Sequence, residues 1–472
     1  MTKWTITPAA GDGPYYVRLA EAIEQAVEAG AIASGDKLPP QRNLAYDLGV
    51  TIGTIGRAYS LLRERGIVSG EVGRGTYILG QDTTSAPGAG ADHFSERYAG
   101  TRHEEAPRDK LRLDTTAAPD IGQGPAIGAV LAAIVTEHPL EVASYSRSHP
   151  AHWLEAGQRW LSRNGWSPAP ECVVPTHGAH AAALAVVSAV TAAGDRIAFE
   201  ALTYSQLSRA TRLIGRRTAI VACDEQGMVP EDFERVCAQQ HPKLAFLMPA
   251  AQNPTLAVLP EERRRAIAEI ARRHGVWLIE DEIYGVLSED PTPLVASFAP
   301  ERTFVVGGLS KSVAAGVRGG WVACPPHFAR RLKVTHKMTT GGISFVLAEA
   351  GARLVLSGAA DEIRRSAIAE IRERQGLAET ILAGYDVASH PQLPFLWLKL
   401  PEPWLSGTFK NAALREDILI DDEDEFKADR LERTFHRVRI AFSSSGRREV
   451  EAGLRRLRRL LDSGAAGYGG ED

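Results

Sequence analysis

Lys311 and Arg318 stand seven residues apart in a stretch of small residues, Gly307-Gly308-Leu309-Ser310-Lys311-Ser312-Val313-Ala314-Ala315-Gly316-Val317-Arg318. An amine in that setting could condense with an aldehyde cofactor, and a guanidinium just beyond it suits a phosphate. Taken alone, Lys311 could equally be a surface lysine at a strand end. Further chemistry-bearing groups lie far away in the chain: Tyr204, Asn253, the carboxylates of Glu280-Asp281-Glu282, Tyr284, and Arg439 within Val438-Arg439-Ile440-Ala441-Phe442. An arginine inside an apolar strand is costly unless paired, although on an edge strand it could simply be exposed. In Thr176-His177-Gly178-Ala179-His180 a long apolar helix begins, so the backbone N–H groups of Gly178, Ala179 and His180 should point at an anion.

These positions need elements to hold them. Strand-like runs at 196–199, 218–222, 244–248, 276–279 and 303–306 alternate with helical runs such as 179–192, 260–274 and 360–376. The alternation predicts an α/β body with a mostly parallel, doubly wound sheet. Tyr204, Asn253, Asp281 and Lys311 each fall beyond the carboxyl end of one of these strands, where open α/β sheets bind ligands.

The Ser-Lys-(small)-Arg segment resembles the lysine segment of fold-type I pyridoxal-phosphate enzymes, the aminotransferase superfamily. That resemblance implies pyridoxal 5'-phosphate as cofactor, joined to Lys311. It implies that the phosphate is held by Ser310, Arg318 and the Gly178–His180 amides, and that Asp281 faces the pyridine nitrogen. The spacing of Asp281 and Tyr284 resembles the family motif, which implies that Tyr284 and Asn253 hydrogen-bond the phenolic oxygen. Tyr204 resembles the aromatic that stacks on the ring; its alternative is a core tyrosine. Glu280 and Glu282 compete with Asp281, which the strand edge and Tyr284 favour. Tyr145 sits where relatives lend a tyrosine to the partner's phosphate across a homodimer interface, and Arg439 where the family grips a substrate carboxylate. His180 departs from the glutamine or threonine more usual there, and Leu256 from a glycine, so its bulk is expected to narrow the pocket.

The N-terminal segment has a different grammar. Leu19, Ala22, Ile23, Ala26 and Val27 recur at helical spacing; a second helix follows Pro40, and a third, capped by Thr51, carries Ile55, Ala58, Tyr59 and Leu62. Two strands around Gly73-Arg74-Gly75 complete a helix-turn-helix with a wing. Basic residues concentrate on the later helices and the wing, and Arg42, Thr51, Thr54, Arg57 and Arg74 are the expected contacts to double-stranded DNA. Lys37-Leu38-Pro39-Pro40-Gln41-Arg42, Leu48-Gly49-Val50-Thr51 and Gly73-Arg74-Gly75-Thr76-Tyr77 resemble the GntR family of winged-helix regulators, which places Arg42, Arg57 and Gly75 at the DNA surface and implies a dimer.

Length and composition set the outer limits. With 472 residues, two or three domains are expected: a winged helix-turn-helix over 12–79, a flexible linker over 80–110, and an aminotransferase-like domain over 111–465. The last divides into a large part at about 140–330 and a smaller α+β part from 111–139 and 331–465. A net charge of -4 argues against a basic coat over the whole molecule. Four scattered cysteines suggest neither a disulfide framework nor a metal site, and the absence of a long apolar run points to a cytoplasmic protein without a membrane partner.

The GntR-like head joined to an aminotransferase-like body resembles the MocR subfamily of bacterial regulators. This implies a pyridoxal-phosphate-dependent transcription factor that senses an amino compound by external aldimine formation at Lys311. The rival reading is a working aminotransferase with an auxiliary DNA-binding head. A third is a plain regulator whose body binds no cofactor.

Overall fold

The computed structural model describes residues 8, 13–33, 36–65, 67–71, 75–78, 100–102, 109–429, 433–443 and 445–463. The chain divides into two compact units, one built mainly from Met1–Arg97 and the other from Tyr98–Leu431 with Phe435–Gly469.

The first unit holds three helices, Tyr15–Glu28, Gln41–Asp47 and Ile52–Glu64. Their apolar positions at three- and four-residue spacing converge, so that Leu19, Ile23, Leu44, Ile55, Tyr59 and Leu62 are all buried in one cluster. Gly49, at φ +65°, lets the chain turn between the second and third helices. Thr51 then caps the third, its Oγ1 accepting from the Thr54 amide at 3.2 Å. Strands Val68–Glu71 and Gly75–Ile78 pair antiparallel as expected of a wing. A third strand, Lys37–Leu38, joins the far side of Gly75–Ile78. Two residues are too short to leave a period, so this strand was not legible.

The second unit is built on a seven-stranded sheet in the spatial order Val173–Thr176, Gly320–Ala323, Thr303–Gly308, Trp277–Asp281, Leu244–Leu247, Arg196–Glu200, Arg217–Val221. Every pairing is parallel except those of Gly320–Ala323, which runs antiparallel to both neighbours. Thr303–Gly308 is buried along its length, as a central strand covered on both faces must be. The five expected strands are present. Val173–Thr176 and Gly320–Ala323 were not foreseen, because a proline and a glycine interrupt their short apolar runs.

Glycines bring the key segments close. A Cβ on Gly320 would lie 2.5 Å from the Cα of Gly178, so the close approach requires glycine at 320. The start of helix Gly178–Val190 therefore lies against the strand beside the one that leads into Lys311. A second sheet of four strands, Val387–Ala388, Phe395–Lys399, Arg437–Ala441 and Asp421–Asp422, supplies Arg439 from an interior strand. Among the described residues no helix is long and apolar enough to cross a membrane.

Candidate functional site

One pocket of the second unit gathers Lys311, Asp281, Tyr204, Asn253, Tyr284, Ser310, Arg318, Arg439 and the Gly178–His180 segment. These residues come from segments scattered over more than 250 positions of chain, and the strand carboxyl ends bring them together.

Lys311 follows strand Thr303–Gly308 and donates from Nζ to Thr116 Oγ1 at 3.0 Å. Thr116 in turn shares a 2.6 Å hydrogen bond with the Tyr284 hydroxyl. Burial, aided by the nearby Arg439 and Arg102 guanidiniums, brings the Lys311 amine down to about 7. The amine is therefore half neutral near pH 7, the form that attacks a carbonyl. The surface-lysine alternative does not fit this setting.

Strand parity settles which carboxylate serves the pocket. Asp281 ends its strand, accepts from the Ile283 amide at 3.0 Å and lines the pocket. Glu280 points the other way and accepts from the amides of Val295 and Ala296, at 2.8 and 2.9 Å, at the start of helix Val295–Phe298. Glu282 pairs with Arg163 at 2.9 Å. Burial pushes the Asp281 carboxyl up to about 7, a charge held in check until a cationic partner faces it.

Tyr204 sits at the start of helix Ser205–Leu213, its ring edge-on to His180 at 5.7 Å. Its hydroxyl donates to Gln206 at 3.0 Å, and the residue lines the pocket while packing against the edge of the core. Gly178 adopts φ +84° where the helix begins, and Gly178, Ala179 and His180 line the pocket. His180 Nδ1 is buried with no hydrogen-bond partner among the described residues. Burial, with Arg318 adding to it, lowers its proton affinity. Arg318 is solvent-exposed, at φ +51° beyond the turn Ala315–Val317.

Arg439 is not an exposed edge residue: its side chain is 3% exposed. Nη1 donates to Asn253 Oδ1 at 2.8 Å, and Nη2 to the Asp114 carbonyl at 2.9 Å and to Asp421 Oδ2 at 2.5 Å. The guanidinium lies 4.7 Å from the Phe426 ring centroid and 5.4 Å from that of Phe395. Because Asn253 accepts through its oxygen, its amide nitrogen is left to donate. Although burial opposes its charge, the Arg439 and Arg102 guanidiniums hold the Asp421 carboxyl below the usual carboxylate range.

Among the residues of this site that escaped the sequence, three matter most to its electrostatics and hydrogen bonding. Thr116 is a hydroxyl in a loop, with no signal of its own. Asp421 follows Ile418-Leu419-Ile420, and an acid immediately after an apolar strand was a readable hint of a buried partner. Arg102 lies within the stretch read as a loose linker. Yet its Nε and Nη2 reach the two oxygens of Asp421 at 2.9 and 2.7 Å. Composition made that stretch look free, whereas the ion pair forms with a partner more than 300 residues away.

One other expectation is corrected. Leu256 does not line the pocket; it adopts φ +66°, the left-handed conformation that favours glycine, and its side chain is buried in the core. Tyr145 is 91% exposed and lies outside the pocket of its own chain.

In the first unit, Arg42, Thr51 and Arg57 are exposed and Thr54 is half-buried, its hydroxyl 2.9 Å from that of Thr51. A Cβ on Gly56 would meet Gln41 Oε1 at 3.3 Å, so the start of the second helix packs on the third. That contact brings Arg42 toward the helix that carries Arg57. Gly75 opens a wing strand, and Arg74 lies outside the described residues.

The family model for aminotransferase class I and II matches residues 111–452, and that for bacterial regulatory proteins of the gntR family matches residues 15–78. The HTH-type transcriptional regulator YdeF of Bacillus subtilis is 27% identical over 464 residues, covering 98% of this chain and 97% of its own. The HTH-type pyridoxine biosynthesis transcriptional regulator PdxR of Corynebacterium glutamicum is 28% identical over 72% of this chain and 73% of its own. The probable rhizopine catabolism regulatory protein MocR of Rhizobium meliloti is 26% identical over 68% of each. Among solved structures, an archaeal alanine:glyoxylate aminotransferase superposes with a TM-score of 0.68 at 21% identity, over 75% of this chain and 91% of its own. LysN of Thermus thermophilus, an α-aminoadipate aminotransferase complexed with N-(5'-phosphopyridoxyl)-L-leucine, gives 0.68 at 21% identity, over 76% and 94%.

Proposed function

Since the chain belongs to the aminotransferase class I and II family and opens with a gntR-type DNA-binding domain, we propose that it is a transcriptional regulator of the MocR type whose body binds pyridoxal 5'-phosphate and an amino-compound effector. The observation that carries the reading is the joining, in one chain, of a winged helix with exposed Arg42 and Arg57 to a pocket in which Lys311, Asp281 and Arg439 converge.

The residues fit the cofactor. Gly178 at the helix start, Ser310 and Arg318 border the same pocket and would hold the phosphate. The unpartnered Nδ1 of His180 also faces a pocket that can supply an acceptor. Pyridoxal 5'-phosphate, when bound, supplies an aldehyde that condenses reversibly with amines and a ring that withdraws electrons. Asp281 would hold the proton on the ring nitrogen, and the charge it then meets would keep its carboxylate ionised. Tyr204 would cover a ring face, while Asn253 and Tyr284 would donate to the phenolic oxygen. Thr116 accepts from the Lys311 amine and shares a hydrogen bond with Tyr284, so the two hydroxyls would orient that amine. Arg439 would receive an anionic group of the effector. Effector binding can alter DNA affinity only through its preference for one conformational state of the chain.

A homodimer suits the exposed apolar residues Leu140, Val135 and Tyr145, which lie close together in sequence on and beside helices Gly124–Glu137 and Pro139–Val142. A DNA-binding regulator also implies a cytoplasmic location. Footprinting on the chain's own upstream region, with cofactor and with and without a panel of amines, tests head and body together. Protection that changes with an amine supports the regulator. Sustained amino transfer to keto acids, with a footprint indifferent to amines, supports the enzymatic alternative.

A further inference from the structure

The stretch that joins the DNA-binding unit to the body in sequence contributes a residue to the pocket. Three of its residues, Gly100, Thr101 and Arg102, are pinned to the body by a dense set of hydrogen bonds. The Thr101 amide donates to Glu425 Oε2 at 3.0 Å, and its hydroxyl to Asp422 Oδ1 at 2.5 Å. The Arg102 amide donates to Glu425 Oε2 at 3.3 Å, and Lys410 donates to the Thr101 carbonyl. Gly100 adopts φ +86°, and a Cβ there would lie 2.1 Å from Arg209 Nη1 and 2.6 Å from Glu425 Oε2. Only glycine lets the chain pass at this point.

The charges around this arm do not balance. Arg209 is matched to Glu425 at 2.9 Å, and Lys410 lies 3.6 Å from Asp422. Asp421, however, is shared by two guanidiniums, Arg102 on one side and Arg439 on the other. Two cations and one anion leave one positive charge facing a pocket of low dielectric. Arg439 Nε is also buried with no acceptor among the described residues. A monoanion would answer both demands at once.

We propose that Arg102 is a ligand-reading residue delivered by the connector: a carboxylate, or another monoanion, on the bound amino compound completes the Arg102–Asp421–Arg439 cluster and holds Gly100–Arg102 against the body. This rests on the reading of the pocket as a cofactor and amine site. It makes the described part of the connector, Gly100–Arg102, a responder to occupancy, because Arg102 lines the pocket.

The test uses the full-length chain and two probes, N-(5'-phosphopyridoxyl)-L-leucine and the matching adduct of isoamylamine, which lacks only the carboxylate. The ratio of their affinities is the readout. The unaltered chain should favour the leucine adduct by about tenfold or more, as a charge-assisted contact would give. Arg102→Gln should compress that ratio to about twofold, and Arg102→Lys should restore part of it. Gly100→Ala, which displaces the arm while keeping Arg102, should compress it as well. In hydrogen exchange, the amides of 100–102 should slow with the leucine adduct and not with the isoamylamine adduct. A ratio untouched by both Arg102→Gln and Gly100→Ala, or equal protection by the two adducts, overturns the inference while leaving the cofactor reading standing. Failure of the unaltered chain to bind either adduct overturns the cofactor reading, and this inference with it.

Discussion

Arg439 Nη2 and Asp421 Oδ2 meet at 2.5 Å, with 3% and 0% of their side chains exposed. Removing two charges from water is costly, and other groups must offset that cost. Here Asn253, the Asp114 carbonyl, Arg102 and the rings of Phe395 and Phe426 share that task. The arginine that a family resemblance assigns to a ligand carboxylate thus already holds an internal one. A ligand must add to this cluster or compete with Asp421 for it.

Breaking the pair should be expensive. Asp421→Asn is expected to lower unfolding free energy by roughly 3 kcal/mol, because it leaves buried guanidinium charge without its counter-ion. Urea unfolding of the full chain at neutral pH measures this. Asp421 titrates below the usual carboxylate range when folded, so it contributes stability above that range and loses it as pH falls through its folded value. The variant should therefore show a shallower acid-side decline than the parent.

The Lys311 amine sets a pH signature. It is brought down from 10.5 to about 7, so below pH 7 the fraction of neutral amine grows about tenfold per unit and above it levels off. The rate at which the cofactor-free chain forms a borohydride-reducible adduct with pyridoxal 5'-phosphate should follow that curve. A rate still climbing steeply at pH 9 would mean an ordinary, solvated lysine. The stability slope has the same sign as that of Asp421, in a higher pH window. Between pH 7 and 10.5 the unfolded chain binds the extra proton at this lysine, so the Lys311 contribution to stability improves as pH rises across that window.

Thr116→Val removes the hydroxyl between Lys311 and Tyr284 with little change in volume. Loss of a hydrogen bond of about 1 kcal/mol should weaken cofactor binding roughly fivefold and shift the midpoint of the adduct-rate profile. A profile that coincides with the parent's would remove Thr116 from any role in orienting the amine.

Gly320→Ala places a methyl 2.5 Å from the Gly178 Cα, so the helix start must move off the strand. The expected result is a loss of at least about tenfold in affinity for pyridoxal 5'-phosphate, since the helix-start amides proposed to meet the phosphate move with Gly178. Titration followed by tryptophan fluorescence checks it, with circular dichroism to establish that the sheet persists.

For the DNA-binding unit, the affinity for a duplex carrying the footprinted site should fall steeply with salt. Arg42→Ala and Arg57→Ala should each weaken binding, and a residue that touches phosphate should lower the slope of log affinity against log salt by about 1. Parallel salt plots for both variants and the parent would argue that these arginines only solvate the surface.

Much of this architecture was legible because it depends on local rules. Helical spacing of Leu19, Ile23, Ile55 and Tyr59 and the turn at Gly49 describe the first unit without reference to anything distant. In the body, alternation of apolar strands and helices located five strands of the sheet and the ends at which Tyr204, Asn253, Asp281 and Lys311 stand. The sheet's antiparallel strand Gly320–Ala323 was hidden because its glycines serve a close contact and not a propensity.

By itself, then, the sequence determined the two-part plan, the strand ends that carry chemistry, and the lysine suited to an aldehyde. Those follow from side-chain type and periodicity, which act over a few residues. Tertiary structure alone decided that Thr116 holds the Lys311 amine, that strand parity turns Glu280 and Glu282 away from Asp281, and that Arg102 and Arg439 share Asp421. Each of these is a contact between groups brought together by the closure of the whole fold, and electrostatic pairing at 3 Å leaves no trace in spacing along the chain.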